Sequence, residues 1–310
     1  MENWDLIIIG GGAAGLAAGI YGSRSGLKTL ILDEKLAGGT TADAPIVENY
    51  PGFPQVTGAE LAEKKVTHAK KTGATIHELE TVVSLDFKGE KKIVKTNRTE
   101  YEAPAVIIAS GAHYREANVN GEKEFRGKGV SYCGVCDGPF FKGKRVLVIG
   151  GGNSACITTL YLSGLAVQVF VVHRKDEFRA ENALVKDLES KGNVKVFWNT
   201  EVKEIKGEKV VTTAVLSNTE TGETQELAVD GVFVQIGESP NSQLAKESGV
   251  EVEEGGCIKI DINQRTNLPG VFAAGDVTNY PVRQIGTAVG QGITAALEAY
   301  AYIKRPYYRK

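Results

Sequence analysis

Cys133-Gly134-Val135-Cys136-Asp137 sets two thiols three positions apart, with a carboxylate directly behind the second. Sulfurs at this spacing can close a disulfide without help from distant chain, and once reduced one thiol can stabilise the thiolate of the other. A structural zinc needs four ligands. The sequence has no second C-x-x-C, Cys156 and Cys257 stand alone, and His68, His77, His113 and His173 are scattered, so no metal ligands are assigned. Two inert thiols could share this spacing by chance; redox exchange is the reading carried forward. Asp137 is the candidate acid–base group, although a solvated turn aspartate would look the same. Cys156 and Cys257 are expected to be inert.

Two glycine runs could cradle phosphates. In the first, Gly10-x-Gly12-x-x-Gly15, the first glycine allows a tight turn, the second lets backbone approach a pyrophosphate, and the third lets a helix pack on a strand. Ala13 lies within it, and Asp33 and Glu34 stand about 20 residues on, where an acid would bind ribose hydroxyls. The second run is Gly150-x-Gly152-Asn153-Ser154-Ala155, with alanine at its third position. No acid ends the strand after it. Instead His173-Arg174-Lys175 and Arg179 supply cations, which suit a ribose 2′-phosphate and hence NADP. A ligand-free turn would use the same glycines, and a solvated charged turn the same cations.

The elements that must hold these groups repeat. Asp5–Gly10 and 27–33 read as strands around a helix over 13–25, and 144–149 and 167–172 as strands around a helix over 156–164. Their uniformly apolar character belongs to strands buried on both faces of a parallel sheet. Residues 82–83, 93–94 and 105–111 add further strands. Segments 201–216 and 225–236 read as a meander ending in Gly231–Gly237, Gly270–Asp276 is a short strand, and a helix is expected from about Gly292 to Lys304. The fold class is α/β, with two Rossmann-like dinucleotide-binding domains.

Composition bounds the rest. Of 310 residues 37 are glycine and only 9 proline, with 42% hydrophobic and 24% charged, so the chain is neither disordered nor fibrous. A net charge of −2 gives no general reason to bind nucleic acid. The basic end, Lys304-Arg305-Pro306-Tyr307-Tyr308-Arg309-Lys310, reads as a solvated tail. No apolar run approaches the ~18 residues of a membrane span. The acidic start shows no signal peptide, so the expected compartment is the cytoplasm.

Taken together, two dinucleotide loops with C-x-x-C-Asp just before the second resemble the low-molecular-weight thioredoxin reductases, class II pyridine nucleotide-disulfide oxidoreductases. Glu48-Asn49-Tyr50-Pro51-Gly52-Phe53, residues 129–138, His173–Ala180, and Gly270–Asp276 with Arg283-Gln284 carry the resemblance across nearly the whole chain. It implies three-layer ββα domains. An FAD domain would comprise 1–114 and 239–310, with an NADP domain, 115–238, inserted and holding the cysteine pair. Non-covalent FAD would meet Gly10, Gly12, Ala13 and Gly15, with Asp33 or Glu34 at the ribose. Gly39, Thr40, Asn49, Val83 and Gly111 would lie along it, and Gly275, Asp276, Arg283, Gln284 and Ile285 at its ribitol, pyrophosphate and flavin edge. NADPH would take Gly150, Gly152, Asn153, Ser154, Ala155, His173, Arg174, Lys175 and Arg179.

The resemblance implies electron flow from NADPH through FAD to the Cys133–Cys136 disulfide and on to thioredoxin or a similar small protein. Cys136 would be the thiol nearest the flavin, Cys133 would attack the partner, and Asp137 would handle the proton. Rotation of the NADP domain about hinges near Ala112–Arg115 and Gly237–Pro240 would serve both steps. A homodimer is the expected assembly. The chain departs from the family pattern in three places: Lys175 replaces a second arginine, Ile157 and Thr158 stand where glutamate is usual, and Thr40 replaces glutamine. All concern the donor or the flavin, so NADH, a reduced deazaflavin and ferredoxin are the alternative donors. A reductase feeding ferredoxin would lack the cysteine pair, and a non-enzymatic redox sensor would not turn over.

Overall fold

The computed structural model describes residues 1–44 and 46–304; the basic stretch 305–310 lies outside them. Contacts divide the chain into two compact units, Met1–His113 with Ser239–Lys310, and Tyr114–Glu238. The second is one continuous stretch of sequence, lying between the two stretches of the first, and Tyr114 belongs to it.

In the first unit five parallel strands run in the order Val271–Ala273, Ala105–Ile108, Leu6–Ile9, Thr29–Leu32, Thr75–His77. Successive side chains of a strand point to opposite faces, and both faces here are covered. Leu6, Ile8, Ile31 and Ile107 pack with Leu16 of helix Ala13–Arg24 and with Ala295 and Ala299 of helix Ile285–Lys304. Ile7, Leu30, Val106 and Ile108 turn the other way, onto Val94 and Tyr101 of a four-stranded sheet and onto Phe87, which follows its strand Val82–Asp86. Each such side chain contributes about 1.5–3 kcal/mol on burial. This is why residues 6–9 and 105–108 are apolar throughout and do not alternate.

The second unit repeats the plan. Its parallel strands run Val130–Ser131, Gly231–Val234, Arg145–Ile149, Gln168–Val172, Val194–Phe197. Leu147, Ile149 and Val172 face Val202, Ile205, Ala214 and Leu216 of an antiparallel meander, Thr200–Gly207, Val211–Asn218 and Thr224–Ala228. Val146, Val148, Val169 and Val171 face Ala155 and Leu162 of helix Asn153–Ser163.

Three elements differ from the sequence expectation. The meander ends at Ala228, and Gly231–Val234 leaves it to pair in parallel with Arg145–Ile149. That strand is buried at every residue, as a central parallel strand must be, whereas 224–228 is almost wholly exposed. The helix after the second loop starts at Asn153, three residues before the expected Cys156, with Gly152 as its N-cap. The last helix starts at Ile285. Its glycines disguise that start, but Gly292 is there for packing: a Cβ would stand 2.1 Å from the Ala14 carbonyl oxygen. No helix among the described residues is long and apolar enough to cross a membrane.

Candidate active site: two glycine loops and a cysteine pair

Gly10 adopts φ +106°, and a Cβ there would meet the Ala109 carbonyl oxygen at 2.3 Å; at Gly15 it would stand 1.8 Å from the Gly10 oxygen. Both glycines are demanded by the protein's own packing. Gly12 is not. Its φ of −80° suits any residue, and its Cβ would have no neighbour nearer than the Gly39 Cα at 3.8 Å. Helix Ala13–Arg24 starts there without a side-chain cap. Bare backbone at a helix N-terminus, facing room that packing does not need, fits a pyrophosphate.

Asp33 stands beside this loop. Its carboxylate accepts from the Gly11 amide at 2.7 Å and from the Lys35 amide at 2.8 Å. Burial pushes its carboxyl above the ordinary range, and the two amides pull it partly back. Glu34 is exposed. Gly39 and Thr40 form a turn, Gly39–Thr41, anchored by Gly38, whose amide donates to the Gly11 carbonyl at 2.8 Å. Asn49 and Gln284, 235 residues apart, bond to each other at 3.1 Å. Val83 follows three residues after Glu80, whose amide bonds the Asp33 carbonyl. Gly111 has φ +67° and accepts from the Asn241 amide. Gly275 has φ +81°, with Asp276 next to it, and Ile285 opens the last helix. Arg283 donates to the Cys257 sulfur at 3.2 Å.

The second loop has the same build. A Cβ at Gly150, φ +148°, would meet the Gln235 carbonyl oxygen at 2.2 Å, Ala155 is fully buried, and Gly152 has nothing within 4 Å. Asn153 and Ser154 are exposed at the helix start, where Asn153 bonds both the Glu181 side chain and its amide. His173 packs against Gly151, with ring atoms 2.3 Å from where a Cβ would stand, and is flanked by Phe178 and Trp198. Burial first, then Arg179, Arg174 and Lys175, hold its imidazole below the usual value, so it is neutral. Those three cations are exposed and form no ion pair among the described residues. Arg179 is tied to the loop through its amide, 2.7 Å from the Gly151 carbonyl.

Cys133 and Cys136 form a disulfide. Cys133 caps the short helix Gly134–Asp137, and the Cys136 amide donates to its sulfur at 3.2 Å. That donor stabilises charge on Cys133 once the bond opens. Cys136 is exposed and Cys133 half-buried. The helix rests on Asn153–Ser163: a Cβ at Gly134 would strike Thr158 at 2.6 Å, and one at Gly138 would strike Tyr161 at 2.8 Å. The cysteine pair and the second loop therefore share one helix. Burial raises the Asp137 carboxyl above its ordinary range, and the Ser131 hydroxyl offsets part of that.

Several participants carry no sequence signal. Gln235 donates from its amide to the Ile149 carbonyl at 2.7 Å, and its side chain reaches the Tyr132 carbonyl at 2.8 Å and Thr158 at 3.2 Å. It therefore links the second loop to the residue before Cys133. Glu122, fully buried, accepts from the Tyr132 hydroxyl at 2.8 Å. Gln291 accepts from the Gly275 amide at 3.0 Å. These contacts join residues 10 to 103 positions apart, and only the fold reveals them.

Residues 4–292 match the pyridine nucleotide-disulphide oxidoreductase family. A thioredoxin reductase of Bacillus subtilis is 44% identical over 302 residues, covering 97% of this chain and 95% of its own. The structure of thioredoxin reductase from Streptococcus pyogenes is similar with a TM-score of 0.94 at 38% identity, covering 98% of this chain and 99% of that one. A ferredoxin-flavin thioredoxin reductase from Clostridium acetobutylicum is similar at 34% identity over 99% of this chain and all of that one, with a TM-score of 0.54.

Proposed function

The chain belongs to the pyridine nucleotide-disulphide oxidoreductase family, and from that premise we propose a flavin-dependent thioredoxin-disulfide reductase that draws its electrons from NADPH. The observation that carries the reading is the Cys133–Cys136 disulfide seated on the helix that the second glycine loop begins. The unit 1–113 with 239–310 is the FAD domain, and 114–238 the NADP domain. FAD is held by Gly10, Gly12, Ala13 and Gly15 at its pyrophosphate and by Asp33 at its ribose. Gly39, Thr40, Asn49, Val83 and Gly111 flank it, and Gly275, Asp276, Arg283, Gln284 and Ile285 line its other end. When bound, it supplies a two-electron carrier between a reduced nicotinamide and the disulfide.

The chain's own residues do the exchange. The Cys133 thiolate, favoured by the Cys136 amide, attacks one sulfur of the partner's disulfide, and the other partner sulfur leaves with the electron pair. Asp137 gives that sulfur a proton. Cys136 then attacks Cys133, its thiol proton passes to Asp137, and the second partner sulfur leaves. Two electrons have moved, and Asp137 ends as it began. The partner is thioredoxin or a similar small protein, the assembly a homodimer, and the compartment the cytoplasm.

Arg174, Lys175 and Arg179, exposed and without an ion pair among the described residues, follow the strand after the second loop and favour the 2′-phosphate of NADPH. A second reading, with ferredoxin as donor, is favoured by Lys175, which lacks the fork geometry of arginine, and by the similarity to the ferredoxin-flavin enzyme. An anaerobic screen of the yellow protein against NADPH, NADH, reduced deazaflavin and reduced ferredoxin separates them. Loss of flavin absorbance with NADPH is expected; none at saturation overturns the donor. In Cys133→Ser the flavin is still reduced but thioredoxin is not. Reduction of thioredoxin at the wild-type rate by that variant sinks the exchange scheme.

A further inference from the structure

The peptide between Tyr132 and Cys133 is held at both of its polar ends by side chains. Its carbonyl accepts from the Gln235 side-chain amide at 2.8 Å, and its N–H donates to the Ser131 hydroxyl at 3.1 Å. A carbonyl can only accept, so the Gln235 nitrogen must face it, which leaves the Gln235 oxygen to take the Thr158 hydroxyl at 3.2 Å. Thr158, 8% exposed, also lies under Gly134, where a Cβ would meet its methyl carbon at 2.6 Å. Gln235 and Thr158 together support the residues on either side of Cys133.

Gln235 can anchor because its own backbone is fixed. It follows Gly231–Val234, the fully buried strand between Val130–Ser131 and Arg145–Ile149, and its amide donates to the Ile149 carbonyl at 2.7 Å. Tyr132 is held through its ring as well, stacked on Tyr114 at 5.2 Å with its hydroxyl on Glu122 at 2.8 Å. Cys136 is placed differently. It is exposed, it follows the exposed Val135, and its four-residue helix is tied to Cys133 itself. The Cys136 amide donates to the Cys133 sulfur at 3.2 Å, and the Asp137 amide to the Cys133 carbonyl at 3.1 Å.

We infer that Gln235 is a positioning residue for disulfide exchange: its side-chain amide fixes the peptide before Cys133, so that Cys133 keeps its place when the disulfide opens and Cys136 stays within reach of it. The second step of the exchange depends on this. The Cys136 thiol gives its proton to Asp137 and attacks the Cys133 sulfur of the mixed disulfide. A Cys133–Cys136 bond forms, the bond from Cys133 to the partner breaks, and the partner sulfur leaves with the electron pair. The cysteine pair is oxidised by two electrons and the partner's disulfide reduced by two. Holding two reacting groups in place raises their effective concentration. A fixed Cys133 therefore speeds this intramolecular step, and not the first, in which Cys133 meets a partner from solution. The inference rests on the reading of Cys133 as the attacking thiol.

The test needs neither donor nor thioredoxin. The holoenzyme, in a Cys257→Ser background to remove the half-exposed thiol, is reduced with dithiothreitol, freed of it anaerobically, and mixed with one equivalent of 5,5′-dithiobis(2-nitrobenzoate). Attack by Cys133 releases one thionitrobenzoate, and attack by Cys136 the second. Gln235→Ala is expected to leave the first release within about twofold of the parent and to slow the second about tenfold. Gln235→Glu keeps the length and the acceptor for Thr158 but, ionised at about pH 8, has no hydrogen for the Tyr132 carbonyl, so it should slow the second release as alanine does. Thr158→Val, which removes the supporting hydroxyl, slows it less; Thr158→Ser, which keeps the hydroxyl, leaves it at the parent rate. A second release unchanged in Gln235→Ala or in Gln235→Glu, or equal slowing of both releases, overturns the inference alone. In Cys136→Ser one thionitrobenzoate should leave at the parent's first rate; fast release by Cys133→Ser instead overturns the reading of Cys133 and the inference with it. If Gln235→Ala does not fold, Gln235→Glu, nearly the same size as the parent residue, makes the same comparison.

Discussion

The two glycine loops are one device made twice, and they differ where the ligand's identity would be read. Gly10 and Gly150 both turn under a carbonyl oxygen of the neighbouring parallel strand's end, from Ala109 and Gln235. Gly12 and Gly152 both leave room that packing does not use. Beyond the next strand they part. In the first unit Asp33 folds onto the loop and takes the Gly11 amide. In the second, His173 covers Gly151 and three exposed cations follow. The common frame suits a pyrophosphate; the residues at the strand end are those that would set which adenosine is tolerated, an acid for bare ribose hydroxyls and cations for a phosphate. The third position differs too, glycine in one loop and alanine in the other.

That last difference gives the largest expected effect. Gly15→Ala makes the first loop read like the second, yet its Cβ would sit 1.8 Å from the Gly10 oxygen. Helix and turn would have to separate, at about 3 kcal/mol or more. Purified Gly15→Ala should be nearly colourless, with a lowered melting temperature. The reverse change, Ala155→Gly, should cost about 1 kcal/mol or less. Equal flavin content and stability in both variants would mean the loops are interchangeable and the comparison is wrong.

The cation cluster comes next. Arg174→Ala removes a charged donor from the strand end of the second loop. The loss of such a bond, about 1.5–3 kcal/mol, raises KM for NADPH roughly 10- to 100-fold. NADH has no phosphate there, so its KM should stay within about twofold. Parallel losses for both dinucleotides would make the cluster a general electrostatic feature. Absence of any effect on NADPH would leave it a solvated turn and favour another donor.

Much of this was legible in the residues because it is local. The loops announce themselves through glycine spacing after an apolar strand, and Cys133, Cys136 and Asp137 through adjacency. Parallel pairing could be read from 6–9, 105–108 and 145–149, since a strand buried on both faces cannot alternate. Gly231–Val234 reads in sequence as part of the meander for a physical reason: it follows the hairpins directly, and adjacency masks the meaning of its uniformly apolar run. The choice between Asp33 and Glu34 was open because either could follow a strand; only the bond to the Gly11 amide, 22 residues back, distinguishes them. Gln235 was invisible because glutamine has no spacing rule; its role exists only once Thr158 and Tyr132 lie on either side of it.

The smallest effect concerns pH, where the loops should respond with opposite sign. Asp33 is raised by burial, so the folded state holds its proton more tightly than the unfolded chain does. Its contribution to stability is fully present at low pH and is lost as pH rises through the folded value. His173 is held below its ordinary value of about 6.5 by burial and by Arg179, Arg174 and Lys175. There the unfolded chain binds the proton more readily, so stability is present above about pH 6.5 and is lost as pH falls below it. Charging the ring in place would set a cation among three others, with Nε2 buried and unbonded. His173→Phe keeps an aromatic ring against Phe178 and Trp198 but removes the titration. Carboxylates such as Glu80 and Asp230, both held low in the folded protein, also weaken it in acid, so the informative quantity is the difference between the two proteins. Between about pH 7.5 and pH 5.5 the denaturant midpoint of the parent should fall more steeply than that of His173→Phe. Parallel profiles would mean that His173 is not held neutral in the fold, and that the second loop differs from the first in charge but not in the sign of its response to acid.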